Sequence, residues 1–226
     1  MWGEQEGRPS TSGAAVVGLA TKRGVHMNVR KMIVALVGAG SLVVLAVPAA
    51  GAAGVTTQTR DIVGQGPGGS VVSADGAALM RSDTGLNARF SMPTPASGTY
   101  SYPGGNAFQP LGAMPGHPEA YSFWAFVFNY PSQCSAPCDI NDVGNTPAQG
   151  GVYNVAGHVA SGGTLQMSGH ISVGAPTFAG VPLMQPRTAE VHLAVAPHGQ
   201  LDPALMPVQI TKPIGSPPYW WLAIFS

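Results

Sequence analysis

Three hydrophobic patterns follow one another along the 226 residues. The first is an unbroken apolar run, MIVALVGAGSLVVLAV at 32–47, with Arg30 and Lys31 before it and Pro48 after it. The second is apolar–polar alternation, as in LNARFSM at 86–92 and EVHLAVA at 190–196. The third is YSFWAFVFNY at 121–130, which is apolar on both faces whichever parity is taken. Alternation with period two predicts strands that bury one face, and a short two-faced run predicts a strand covered on both sides.

These patterns place the elements. Residues 77–81 and 86–92 flank Ser-Asp-Thr-Gly, which predicts a hairpin with Gly85 free to take positive φ. The aromatic run at 121–130 is predicted as a central strand, its rings reading as core rather than as a ligand platform. Residues 152–160 and 164–173 read as a hairpin around Ser161-Gly162-Gly163. Its apolar side chains all carry odd numbers: Tyr153, Val155 and Val159, then Leu165, Met167, Ile171 and Val173. Cross-strand partners on one face must then sum to an even number. That selects a three-residue loop with Ala160 opposite Thr164 and Gly163 left-handed. In 190–196, Val191, Leu193 and Val195 point inward, Glu190, His192 and Ala194 point outward, and Pro197 ends the strand. Residues 208–211 and 219–225 are further strands. Residues 93–118 hold six prolines and are expected to form an extended surface loop. Residues 53–70 are Gly-rich and read as a flexible lead-in. Gly64, Gly66 and Gly69 there satisfy G-x-G-x-x-G. Pro67 lies inside the motif and a strand-like segment follows it, so the helix N-terminus that a dinucleotide needs is missing.

The first pattern sets the compartment. A short basic start, an apolar run of about 16 residues and Ala50-Gly51-Ala52 follow the order of a secretory signal peptide. The run is shorter than the roughly 20 residues a spanning helix needs. Residues 27–52 are read as the signal, cleaved after Ala52 or Ala53; translation is expected to start at Met27, which makes 1–26 non-native, the alternative being that 1–26 is an extended leader. The expected product is secreted, has no membrane span, and folds as one domain over 71–226.

Composition narrows the class. Charged residues make up 9% of the chain, with 31 glycines and 21 prolines, against about 25% charged in typical domains. Short strands and many turns suit this better than helices, so the expected fold is all-β. It is an antiparallel β-sandwich, Ig-like, of seven to nine short strands with long Pro/Gly-rich loops. Beyond residue 52, five basic side chains face eight acidic ones. That balance offers no basic patch for nucleic acid and no block of charge for an anionic membrane.

Little chemistry stands out. Cys134 and Cys138 are the only cysteines. In an exported chain an even count favours a disulfide over a metal site or a redox pair, because C-x-x-x-C is not the redox spacing and no further zinc ligands lie near. Asp139, Asn141 and Asp142 suggest a calcium loop, but Val143 and Gly150 occupy two of the positions that would supply oxygens, so a turn capped by Asp139 is expected instead. His158, His170, His192 and His198 are the weak metal-ligand candidates. In the expected register His158 and His170 lie about 13 Å apart, and Glu190 with His192 forms the best outward pair. There is no G-x-S-x-G, H-E-x-x-H or P-loop. The reading is a non-catalytic extracellular or envelope-associated binding module without cofactor. The alternative is a copper- or zinc-dependent enzyme or carrier built on those histidines.

Three stretches carry a resemblance: AYSFWAFVFNYPSQC, VYNVAGHVASGGTLQMSGHISVG and AEVHLAVAPHG, spanning residues 121–199. Together they resemble a group of uncharacterised exported proteins, chiefly actinobacterial. More distantly, the strand with a following His-Gly is similar to CHRD-type β-sandwich domains. Their adjacent H-I-H-G is absent, and His192 and His198 stand apart. The resemblance implies export and a β-sandwich only, and carries no activity over to this chain.

Overall fold

Alternation and the two-faced run dictate the architecture. The structure, a computed structural model, describes residues 54–64, 68–96, 116–135, 137–212 and 220–226. The expected leader and signal and most of the Pro-rich loop lie outside these residues. In chain order the strands are β1 (Thr56–Gly64), β2 (Val71–Ser82), β3 (Gly85–Pro93), β4 (Glu119–Phe128), β5 (Gly150–Ala160), β6 (Thr164–Ser172), β7 (Ala179–Gly180), β8 (Glu190–Gln200) and β9 (Trp221–Phe225). A one-turn helix, α1 (Met206–Gln209), precedes β9, and short 3-10 turns sit at Pro131–Gln133 and Ile140–Asp142. All nine strands join one antiparallel sheet in the order β6-β3-β2-β1-β9-β8-β4-β5-β7. Among the described residues no helix is long and apolar enough to cross a membrane.

The two-faced run became β4, paired with β5 on one side and β8 on the other and buried almost throughout. Its odd residues Tyr121, Phe123, Ala125 and Val127 enter the main core with Leu79, Phe90, Leu165, Leu193 and Phe225. The Phe90 and Phe123 rings, from β3 and β4, meet across that core at 5.6 Å. The β2–β3 hairpin has the expected register, with Ser82 opposite Gly85.

Several expectations are corrected. The segment expected as a lead-in contains β1, which lies inside the sheet between β2 and β9. β5 and β6 are joined by three residues, with Gly162 and Gly163 both at positive φ, as the loop length required. They do not ladder with each other, however. β5 pairs with β4 and β7, and β6 pairs with β3 at the far end of the order. The loop therefore crosses between the two ends of a curled sheet. The ends touch where a Cβ on Gly169 would meet Val155 Cγ1 at 2.5 Å and its carbonyl oxygen at 2.7 Å. The parity argument fails at the same place. Phe123 pairs with Ala156 and Trp124 with Asn154, so Val155 is an extra residue in a β-bulge. Beyond a bulge the alternation inverts, and His158 comes to pair with Tyr121.

β8 does not end at Pro197 and is buried along both faces. Among the described residues its pairing with β9 stops at Val195, before Pro197, whose ring leaves no N–H to offer a neighbouring strand. Residues 206–209 are helix rather than strand, with Pro207 in the first turn, where its missing N–H costs nothing.

Candidate ligand-binding site

The even residues of β4 build a second, smaller apolar cluster on the opposite side of the sheet. Trp124 packs there with Val152 of β5 and Ala196 of β8, flanked by Phe126, Val143 and Trp220. These side chains do not close over one another. They leave a pocket of about 580 Å³ lined by Trp124, Phe126, Ile140, Val143, Val152, Phe178, Ala179 and Trp220. Every lining side chain is apolar or aromatic, and the volume falls in the range of small-molecule sites. The rings are ordered against one another. Phe178 meets Trp124 edge-on at 5.2 Å, and Phe126 meets Trp220 at 5.9 Å. At the rim, Phe178 and Ile140 are exposed, and the Lys212 ammonium lies 5.2 Å from the Phe178 ring centre.

One wall is a strap over residues 131–149. The Cys134–Cys138 disulfide forms, with Cα atoms 5.0 Å apart. Asp139 caps the turn Ile140–Asp142, accepting the Asn141 N–H at 2.7 Å while Asp142 accepts the Asp139 N–H at 2.9 Å. This is the capped turn expected in place of a calcium loop, and it presents Ile140 and Val143 to the pocket. The Gly144 N–H bonds the Gly150 carbonyl, and Val143 bridges to Gly150, so the strap returns directly into β5.

Beneath the strap lies the expected outward pair, and it is not outward. Glu190 and His192 are buried. His192 Nε2 lies 2.7 Å from Glu190 Oε1, which also accepts the Cys138 N–H at 2.9 Å. Burial lowers the His192 pKa below its ordinary value, against the smaller upward pull of Glu190. The ring packs on Phe128 at 5.1 Å and stays neutral at neutral pH. The correction has a simple cause: sequence alternation shows two faces but not that a distant segment covers the second.

On the same sheet face, behind Trp124, a polar pair is sealed from solvent. Ser122 Oγ lies 2.5 Å from His198 Nε2 and accepts the Trp124 indole N–H at 2.5 Å. A serine beside a histidine invites a nucleophilic reading. Ser122 is 0% and His198 1% exposed. The pair is buried and holds the Trp124 ring through its indole N–H.

The other histidines lie elsewhere. His158 is exposed on β5, and His170 on β6 bonds Asn87 through Nδ1 at 3.0 Å. None of the four histidine candidates joins a group of three metal-ligating atoms among the described residues. The group found there, Cys134, Cys138 and Asp142, contains the two sulfurs already bonded to each other.

Sequence reasoning assigned Trp124 and Phe126 to the core and overlooked Phe178 and Trp220. The available signal was the apolar character of both faces of β4, which requires a second covering layer that can be incomplete. Comparison with protein-family models, with curated proteins and with solved structures gave no match to this chain.

Proposed function

We propose that the protein is a secreted, non-catalytic binding module that holds an apolar small molecule against Trp124, Phe126, Phe178 and Trp220. The observation that carries this reading is the pocket of about 580 Å³, walled among the described residues by aliphatic and aromatic side chains and braced by a disulfide-clasped strap. Apolar surface left open to water disfavours the empty state, and a ligand that covers it gains the hydrophobic term without losing hydrogen bonds. The ring contact of Phe90 with Phe123 across the main core supports a sandwich-like packing of the two halves of the sheet. Secretion rests on the basic, apolar and small-residue order of residues 27–52, and N-terminal sequencing of exported protein should begin near Ala53.

The test is a tryptophan fluorescence titration with 1-decanol. Binding should be saturable and lost in Ala179→Trp, which fills the pocket from the short edge strand β7. A linear, non-saturating response, or full binding by that variant, would remove the site.

A further inference from the structure

We propose that the occupant of this pocket is a single-chain anionic amphiphile, with its aliphatic chain in the cavity and its carboxylate at Lys212. The inference rests on the binding reading above and adds the charge of the ligand. Among the described residues the lining offers no charged side chain and no hydrogen-bond acceptor, and the Trp124 indole N–H is already given to Ser122, so the cavity suits a chain better than a charged head. Orientation must come from the rim, and Lys212 stands there. Its Nζ lies 5.2 Å from the centre of the Phe178 ring, whose edge meets Trp124 at the same distance.

Two other cations, Arg81 and Arg187, are already engaged. Arg81 donates to the carbonyls of Pro186 and Ala189, and Arg187 pairs with Asp83. Among the described residues Lys212 pairs with no carboxylate. It is also the only lysine beyond Lys31. The carboxylates of the strap are turned to their own backbone, Asp139 to Asn141 and Asp142 to Asp139. They complete the turn that carries Ile140 and Val143. The strap thus supplies apolar contact, and the rim beside Phe178 supplies a positive charge on a flexible stem long enough to follow a head group.

The experiment uses the full chain and three ten-carbon probes below their micelle concentrations: sodium decanoate, 1-decanol and decyltrimethylammonium. Affinity is read from tryptophan fluorescence at low ionic strength. Decanoate should bind about fivefold more tightly than decanol, the upper end for one exposed ion pair, and the cationic probe more weakly than decanol. Lys212→Gln should abolish the difference between decanoate and decanol, and salt should erode the same increment. Shortening decanoate to octanoate should weaken binding about tenfold through the lost methylenes. Equal binding of decanoate and decanol, or a preference that survives Lys212→Gln, would overturn the proposal while leaving the pocket reading intact. Failure of all three probes to bind would remove the pocket reading and this inference with it. A dimer that decanol dissociates would assign the pocket to a second copy of the chain, and binding to phosphatidylglycerol vesicles without binding of decanoate would assign it to a membrane; either result overturns the proposal.

Discussion

Asn129 and Arg81 show how single polar side chains close this fold. Asn129 leaves the end of β4 and uses its whole amide. Its Nδ2 donates to the carbonyls of Gln149 and Pro182, and its Oδ1 accepts the N–H groups of Met184 and Gln185. Arg81, buried and without a carboxylate, donates to Pro186, Ala189 and Phe225 carbonyls and to Gln58 Oε1. Burial lowers its pKa, yet an arginine remains charged and neutral oxygens take the place of water around it. His192 gives the residue-scale prediction. Its folded pKa is lowered, so the unfolded chain binds the proton more readily. Stability should be constant above about pH 6.5, the ordinary histidine value, and should fall as pH drops below it. Urea midpoints measured at pH 7.5 and pH 5 should separate more in the native protein than in His192→Asn. An equal separation in both would show that His192 does not carry the dependence.

At the scale of elements, local patterns were legible and long-range pairing was not. The β2–β3 hairpin, the doubly covered β4 and the three-residue loop at 161–163 all follow from apolar spacing and turn residues. The β5–β6 ladder did not form because each arm found a different neighbour, and the Val155 bulge inverted one arm partway along. Nothing in the sequence GVYNVAGHVA marks that bulge. Gly169→Ala tests the contact between the ends of the sheet. Its Cβ would meet the Val155 carbonyl, which cannot swing away as a side-chain tip can, so the variant should lose about 1–3 kcal/mol in chemical denaturation. A neutral result would place β5 and β6 further apart than described. The disulfide belongs to this scale too. It closes a loop of five residues, for which chain entropy gives about 2 kcal/mol, and its Cys138 N–H holds Glu190. Reductant should therefore lower the melting temperature by a few degrees, and a thiol titration of the unfolded, unreduced chain should find no free sulfhydryl.

At the scale of the whole molecule, one sheet has to cover two apolar surfaces. The inner one closes into the main core; the outer one, around Trp124, is only partly covered by the strap, Phe178 and Trp220. The candidate site was half legible for that reason. The excess of apolar residues on both faces of β4 was plain in the sequence, whereas the segments that come to lie over the outer face are remote in the chain. The three neighbouring tryptophan positions make this arrangement measurable. Trp124 and Trp220 line the pocket, whereas Trp221 packs on the core side against Tyr121 at 6.3 Å. The most direct test is therefore a two-dimensional nitrogen–proton spectrum of the indole N–H groups during a 1-decanol titration. The account predicts saturable shifts of the Trp124 and Trp220 signals with Trp221 unmoved. Shifts confined to Trp221, or no saturable shift at any indole, would contradict it.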